Sequence, residues 1–241
     1  GYTLLMIHVR HATNVAMYKS LPYHPVDDFE PIGRATSGPM VIVARNDFPA
    51  KNLNEFVAYV KANGPKVSLA HAGVGSASHL CGLMMMNALN VKLNEIPYKG
   101  TGPALNDLMG GQVDAMFDQS NTALPQVQSG RLKALALTSL TPMPQQYPGV
   151  SPRAEKLLPG FEAATWYGLY APLGTPKDVT QKMHQAYVKA MTDKTWTQRM
   201  AGQGIHLLPD AQYAPESFAR HTAAEVDKWR KVVADAKIEI D

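Results

Sequence analysis

A chain of 241 residues, 45% of them hydrophobic, can bury one large core or two smaller ones. Its charged fraction of 18% and net charge of only +3 exclude the dense Lys/Arg stripe by which nucleic acid is bound. A single cysteine, Cys81, excludes an internal disulfide and a Cys-rich zinc motif, and no stretch reaches the roughly 18 consecutive apolar residues of a membrane span.

The chain opens on GYTLLMI, which predicts a strand over residues 3–7 and implies that the first residue lies inside a domain. His8, Arg10 and His11 follow on a predicted loop without a nearby carboxylate, and Asp27 and Asp28 sit in a proline-flanked turn, where they are solvated. Further strands are predicted over 40–44, 67–70, 94–96, 115–117, 132–137 and 168–171. Helices are predicted over 53–62, 78–87, 103–109, 122–129, 176–192, 194–202 and 215–236. In the first of these, Leu53, Phe56, Val57 and Val60 fall at the spacing of one buried helix face, with Asn52 as its cap. Five prolines in 142–160 exclude regular structure there. In the last helix Phe218, Val226, Trp229 and Val233 form the apolar face of an amphipathic surface helix. Strands alternating with helices predict an α/β fold with a mostly parallel sheet.

Three strand–turn–helix segments carry candidate chemistry. AHAGVGSASHL (70–80) brings a glycine turn directly into a helix start, where free amides, the positive dipole end and the hydroxyls of Ser76 and Ser78 form an anion site. The plain alternative is a tight turn with a serine cap, since both the third glycine of a dinucleotide fingerprint and the lysine of a P-loop are missing. IPYKGTGPA (96–104) repeats the arrangement at Gly100 and Thr101, with Lys99 either adding charge or simply solvated. Two such turns at strand ends in one α/β domain face one crevice. The third segment, QVDAMFDQS (112–120), sets Asp118 after a buried strand, as an acceptor for a ligand donor or as a helix cap. Eight histidines provide no HExxH, and there is no GxSxG elbow, so no metal, cofactor or catalytic residue is expected.

Several segments then become recognisable together. GYTLL with HATN, LPYHPVDDFEPIGR, AGVGSASHL, IPYKGTGPALNDLMGGQVDAMFD, GRLKALALTS and WYGLYAPLGTP resemble, in order and over essentially the whole chain, the Bug-type receptors. These are the extracytoplasmic solute-binding proteins of tripartite tricarboxylate transporters. The resemblance implies a type II periplasmic-binding-protein fold with two α/β lobes around a ligand cleft, residues 1–44 plus 163–241 forming the first lobe and 45–162 the second. It implies a periplasmic location, a small carboxylate as ligand and the membrane components of the transporter as partners.

In that family backbone amides and small hydroxyls hold the carboxylate. This carries over onto Gly75, Ser76, Gly100, Thr101 and Asp118, with His79 beside them and His8, Arg10, His11 and Asn14 on a ligand-lining loop of the first lobe. The family pattern includes a signal peptide and a glycine-rich loop upstream of GYTLL. The first lobe is therefore expected to be incomplete, and the edge at residues 3–7 to be able to self-associate. His8 and Arg10 stand where small hydroxyl residues are common, which predicts that they contact the distal end of the ligand. Two alternatives remain at this point: an enzyme on the same fold, drawing on His8, His11, His79 and Asp118, and a sensory or interaction protein.

Overall fold

A computed structural model describes residues 3–139, 142–150, 163–205 and 208–235. In chain order its elements are β1 (Leu5–His8), α1 (Arg10–Met17), β2 (Phe29–Arg45), α2 (Leu53–Asn63), β3 (Ser68–His71), α3 (Ala77–Leu89), β4 (Asn94–Pro97), α4 (Thr101–Met109), β5 (Ala115–Gln119), α5 (Ser120–Gln128), β6 (Leu132–Leu137), β7 (Ala164–Pro172), α6 (Lys177–Met191), α7 (Lys194–Gly202) and α8 (Pro215–Asp235). Of the proline-rich stretch, residues 151–160 lie outside the described residues, as does the last residue of the helix expected over 215–236. The chain divides into two compact units, Gly1–Ser37 with Thr165–Asp241 and Gly38–Ala164.

In the first unit β1 pairs antiparallel with β7, Met6 opposite Leu169, and has no second strand partner among the described residues. Helix α1 stands where the sequence predicts a loop; it packs on α8 and buries His11, Ala12, Thr13 and Met17. Its signal is weak because it has only eight residues and no side-chain cap, so tertiary packing rather than local propensity makes it helical. The core gathers Ile32, Ala35, Tyr187, Met191 and Tyr213. Two strand glycines make room for aromatic rings. A Cβ on Gly33 would lie 2.3 Å from the Tyr187 ring and one on Gly168 only 1.9 Å from that of Phe218. Gly168→Ala is therefore expected to cost about 1–3 kcal/mol, read as a lower urea midpoint at unchanged slope, since Phe218 is fully buried and has nowhere to retreat.

The second unit corrects the expectation of a mostly parallel sheet. Its strand order is β6-β2-β5-β3-β4, with β3 parallel to both β4 and β5 but β2 antiparallel to β5 and to β6. Both faces are covered. Met40, Ile42 and Ala44 of β2 join Leu69, Phe117 and the apolar sides of α2 and α3 in one cluster, while Val41 and Val43 join Ala70, Met116, Leu105 and Leu124 in another. Side chains of a strand alternate between faces, so a continuous apolar run is what a doubly covered strand needs. Asn52 caps α2 as expected, accepting from the Glu55 amide.

Candidate functional site

Because β3, β4 and β5 are parallel, the helices that follow them all start at one edge of the sheet. Ala70 pairs with Ile96 and with Met116, so two residues on, Ala72, Tyr98 and Asp118 stand level at or just past the ends of three adjacent strands. The loops after β3 and β4 touch there. The Tyr98 amide donates to the His71 carbonyl at 2.9 Å, and a Cβ on Gly73 would lie 3.2 Å from the Tyr98 carbonyl oxygen.

The loop after β3 is tied inward by its own side chains. Ser78 Oγ accepts from the Ala72 amide at 2.8 Å and lies 3.0 Å from Ser76 Oγ, which caps α3 by accepting from the His79 amide at 3.3 Å. The serine cap foreseen as the plain alternative is thus real, and Ser76 serves it. His79 is buried, with Nδ1 accepting from the Gly75 amide at 3.1 Å and Nε2 3.3 Å from Glu95 Oε1, so its ring braces the loop from beneath.

The loop after β4 ends differently. Gly100 is the N-cap of α4 at φ +112°, with no side chain capping the helix. Pro103 occupies the first turn, where its missing amide costs nothing. The Thr101 and Gly102 amides therefore face outward from a positive helix end without a cap. Tyr98 Oη donates to Asp107 at 2.7 Å and holds the loop against α4, while Lys99 is exposed.

Asp118 is 2% exposed and accepts from Thr122 Oγ1 at 2.6 Å. Desolvation pushes its carboxyl up to about 6, with the Thr122 hydroxyl and the Gln119 backbone opposing. Tyr147 donates to the Ser120 carbonyl, and its phenol is pushed up by burial and by the nearby Asp118 carboxylate. Tyr147 and Thr122 were not singled out in the sequence, since neither lies in a turn motif.

In the first unit the expected ligand-lining loop is the start of α1. His11 is fully buried among Tyr23, Phe29 and Tyr170, its Nε2 2.9 Å from the Pro25 carbonyl oxygen. Burial holds its pKa below the ordinary value, with the Pro25 carbonyl opposing. It is a core histidine with no surface to offer a ligand. Asn14 donates to Tyr23 Oη at 3.0 Å. His8 is partly buried against Tyr167 and accepts from the Arg10 amide; burial and then the Arg10 charge lower its pKa. Arg10 is exposed, its guanidinium 3.4 Å from Tyr18 Oη. A separate hollow of about 640 Å³ in this unit is lined by Glu30, Glu216, Lys177 and His184. Two carboxylates against one lysine make it a poor place for an anion.

Comparison with known proteins gives the family and fold of the chain. The model of the tripartite tricarboxylate transporter family receptor matches residues 1–238. The structure of the periplasmic binding protein BugD superposes with a TM-score of 0.92 at 41% identity, covering 99% of this chain and 80% of BugD. MatC from Rhodopseudomonas palustris, solved with bound malate, gives 0.88 at 36% identity over 96% of this chain and 79% of its own. A second R. palustris protein, solved with adipate, gives 0.90 at 25% identity over 100% and 80%. Among the described residues no helix is long and apolar enough to cross a membrane.

Proposed function

This chain belongs to the tripartite tricarboxylate transporter receptor family, and from that premise we propose that its ligand is a small dicarboxylate, held at one end by the loops after β3 and β4. The family and fold are those of extracytoplasmic solute-binding receptors rather than of enzymes. The observation that carries the proposal is the uncapped start of α4 beside the braced glycine loop of α3: outward amides at a positive helix end form a site for a carboxylate. Malate in one relative and adipate in another supply the ligand class.

Gly75, Ser76, Gly100 and Thr101 line the clamp in this reading. His79 holds the Gly75 amide inward, so the β3 loop offers the ligand the Ser76 hydroxyl rather than that amide, and Asp118 acts through its charge rather than by contact. The bound ligand is then handed to the membrane components of the transporter without turnover. A thermal-shift series of malate, adipate and matched monocarboxylates is expected to favour the dicarboxylates, and the recovered ligand to be chemically unchanged. Stabilisation by no carboxylate removes the clamp, and a converted product makes the protein an enzyme.

A further inference from the structure

Beneath the β3 loop lies a cluster of which the proposed carboxylate capture uses only His79. Side chains alternate along β3, so Leu69 and His71 share a face, and the pairing of Leu69 with Glu95 sets Glu95 on that face one strand over. Helix α3 covers it, since a Cβ on Gly82 would meet Leu69 Cδ2 at 2.8 Å. His79 lies one turn before Gly82 and reaches the same face. The His71 and His79 ring centroids are 4.4 Å apart, and one donor atom from each of His71, His79 and Glu95 lies within 4.8 Å of the other two.

His71 is 4% exposed, and although its ring lies against the Gly73 backbone, Nδ1 is buried with no partner of hydrogen-bond geometry. A buried nitrogen left without a partner costs free energy unless something occupies it. Burial, and then the adjacent His79, hold the His71 pKa below its ordinary value, so the ring is neutral at pH 7, as a metal ligand must be. Glu95 is partly exposed and opens the cluster to water.

We propose that His71, His79 and Glu95 form a binding site for one divalent transition-metal ion, with zinc the best match. Two imidazoles, one carboxylate and an open fourth position are a zinc donor set, whereas calcium and magnesium call for oxygen ligands. Zinc bonds of about 2.0–2.2 Å bring tetrahedral donors to about 3.3 Å from one another, so loading draws the cluster inward, chiefly through the partly exposed Glu95. The Gly75 amide now donates to His79 Nδ1, which sets the neutral ring's proton on Nε2, facing Glu95. Coordination through Nε2 moves that proton to Nδ1 and turns the Gly75 amide away from the ring.

The test uses the whole chain, stripped of metal with chelator, titrated with ZnCl₂ by calorimetry and with CoCl₂ by visible absorption. One ion per chain is expected, with the intense cobalt bands of a four- or five-coordinate site. Affinity is expected to fall at least about tenfold in His71→Gln and in Glu95→Gln. The second variant alters a partly exposed side chain and remains readable if the first does not fold. His24→Gln changes a partly exposed histidine 2.9 Å from Asp27 and is expected to bind as the wild type. No bound ion, a pale six-coordinate cobalt spectrum, or loss in His24→Gln but not in Glu95→Gln overturns the site.

Discussion

Replacing Gly100 by valine is expected to weaken dicarboxylate binding about 100-fold or more while the sheet of the second unit stays intact. Gly100 sits at φ +112° and ψ 173°, a region that residues with a Cβ avoid at a cost of about 1–3 kcal/mol. The space around the added Cβ is open, so the penalty is backbone strain rather than a clash with the core. The chain relieves that strain by rotating the peptide that leads into α4, which swings the Thr101 and Gly102 amides away from the ligand. Hydrogen bonds to a charged group contribute about 1.5–3 kcal/mol each, so losing two accounts for the expected factor. Gly130, also at positive φ with open space but at the far end of α5, is the control. Gly130→Val is expected to lose stability without losing affinity. Calorimetry with malate on both variants decides, and equal affinities remove the α4 start from the site.

The second large effect concerns Asp118 and pH. Its carboxyl is pushed up from 3.8 to about 6, so between those values the folded chain holds a proton that the unfolded chain has released. This group's contribution to stability is fully present below pH 4, falls as pH rises through about 6 and is level above that. Two pKa units correspond to about 3 kcal/mol. Asp118→Asn removes the buried charge and forfeits part of the Thr122 hydrogen bond, leaving an expected gain of about 1–2 kcal/mol at pH 7.5 that vanishes below pH 4. Urea unfolding at the two pH values measures it directly. The same charge opposes an anion bound at the neighbouring loops, so the asparagine variant is expected to bind malate more tightly than the wild type at pH 7.5, the difference closing toward pH 5. Weaker binding by the variant at pH 7.5 makes the Asp118 carboxylate an acceptor for the ligand instead.

The α/β class, nearly every helix and strand of the second unit, and the two glycine turns were legible from residues 53–60, 70–80 and 96–104. There, apolar period, caps and turn glycines are local properties that agree with the fold. Strand β2 was legible only over 40–44, because proline and glycine at 31, 33 and 38 carry no local strand signal although the segment is extended. Helix α1 and the burial of His11 escaped because both depend on α8 and on a cage of aromatic rings far away in sequence. His71 and Glu95 stood in the sequence as an unremarked strand end and a strand residue; only the parallel register of β3 with β4, and α3 laid across them, brings them to His79. The sequence by itself determined where the glycine turns and helix starts fall and which family the segments resemble, since backbone conformation at glycine and helix starts is set within a few residues. The tertiary structure alone decided which polar side chains are exposed, which are buried and which meet, because register and packing join residues that no local pattern relates.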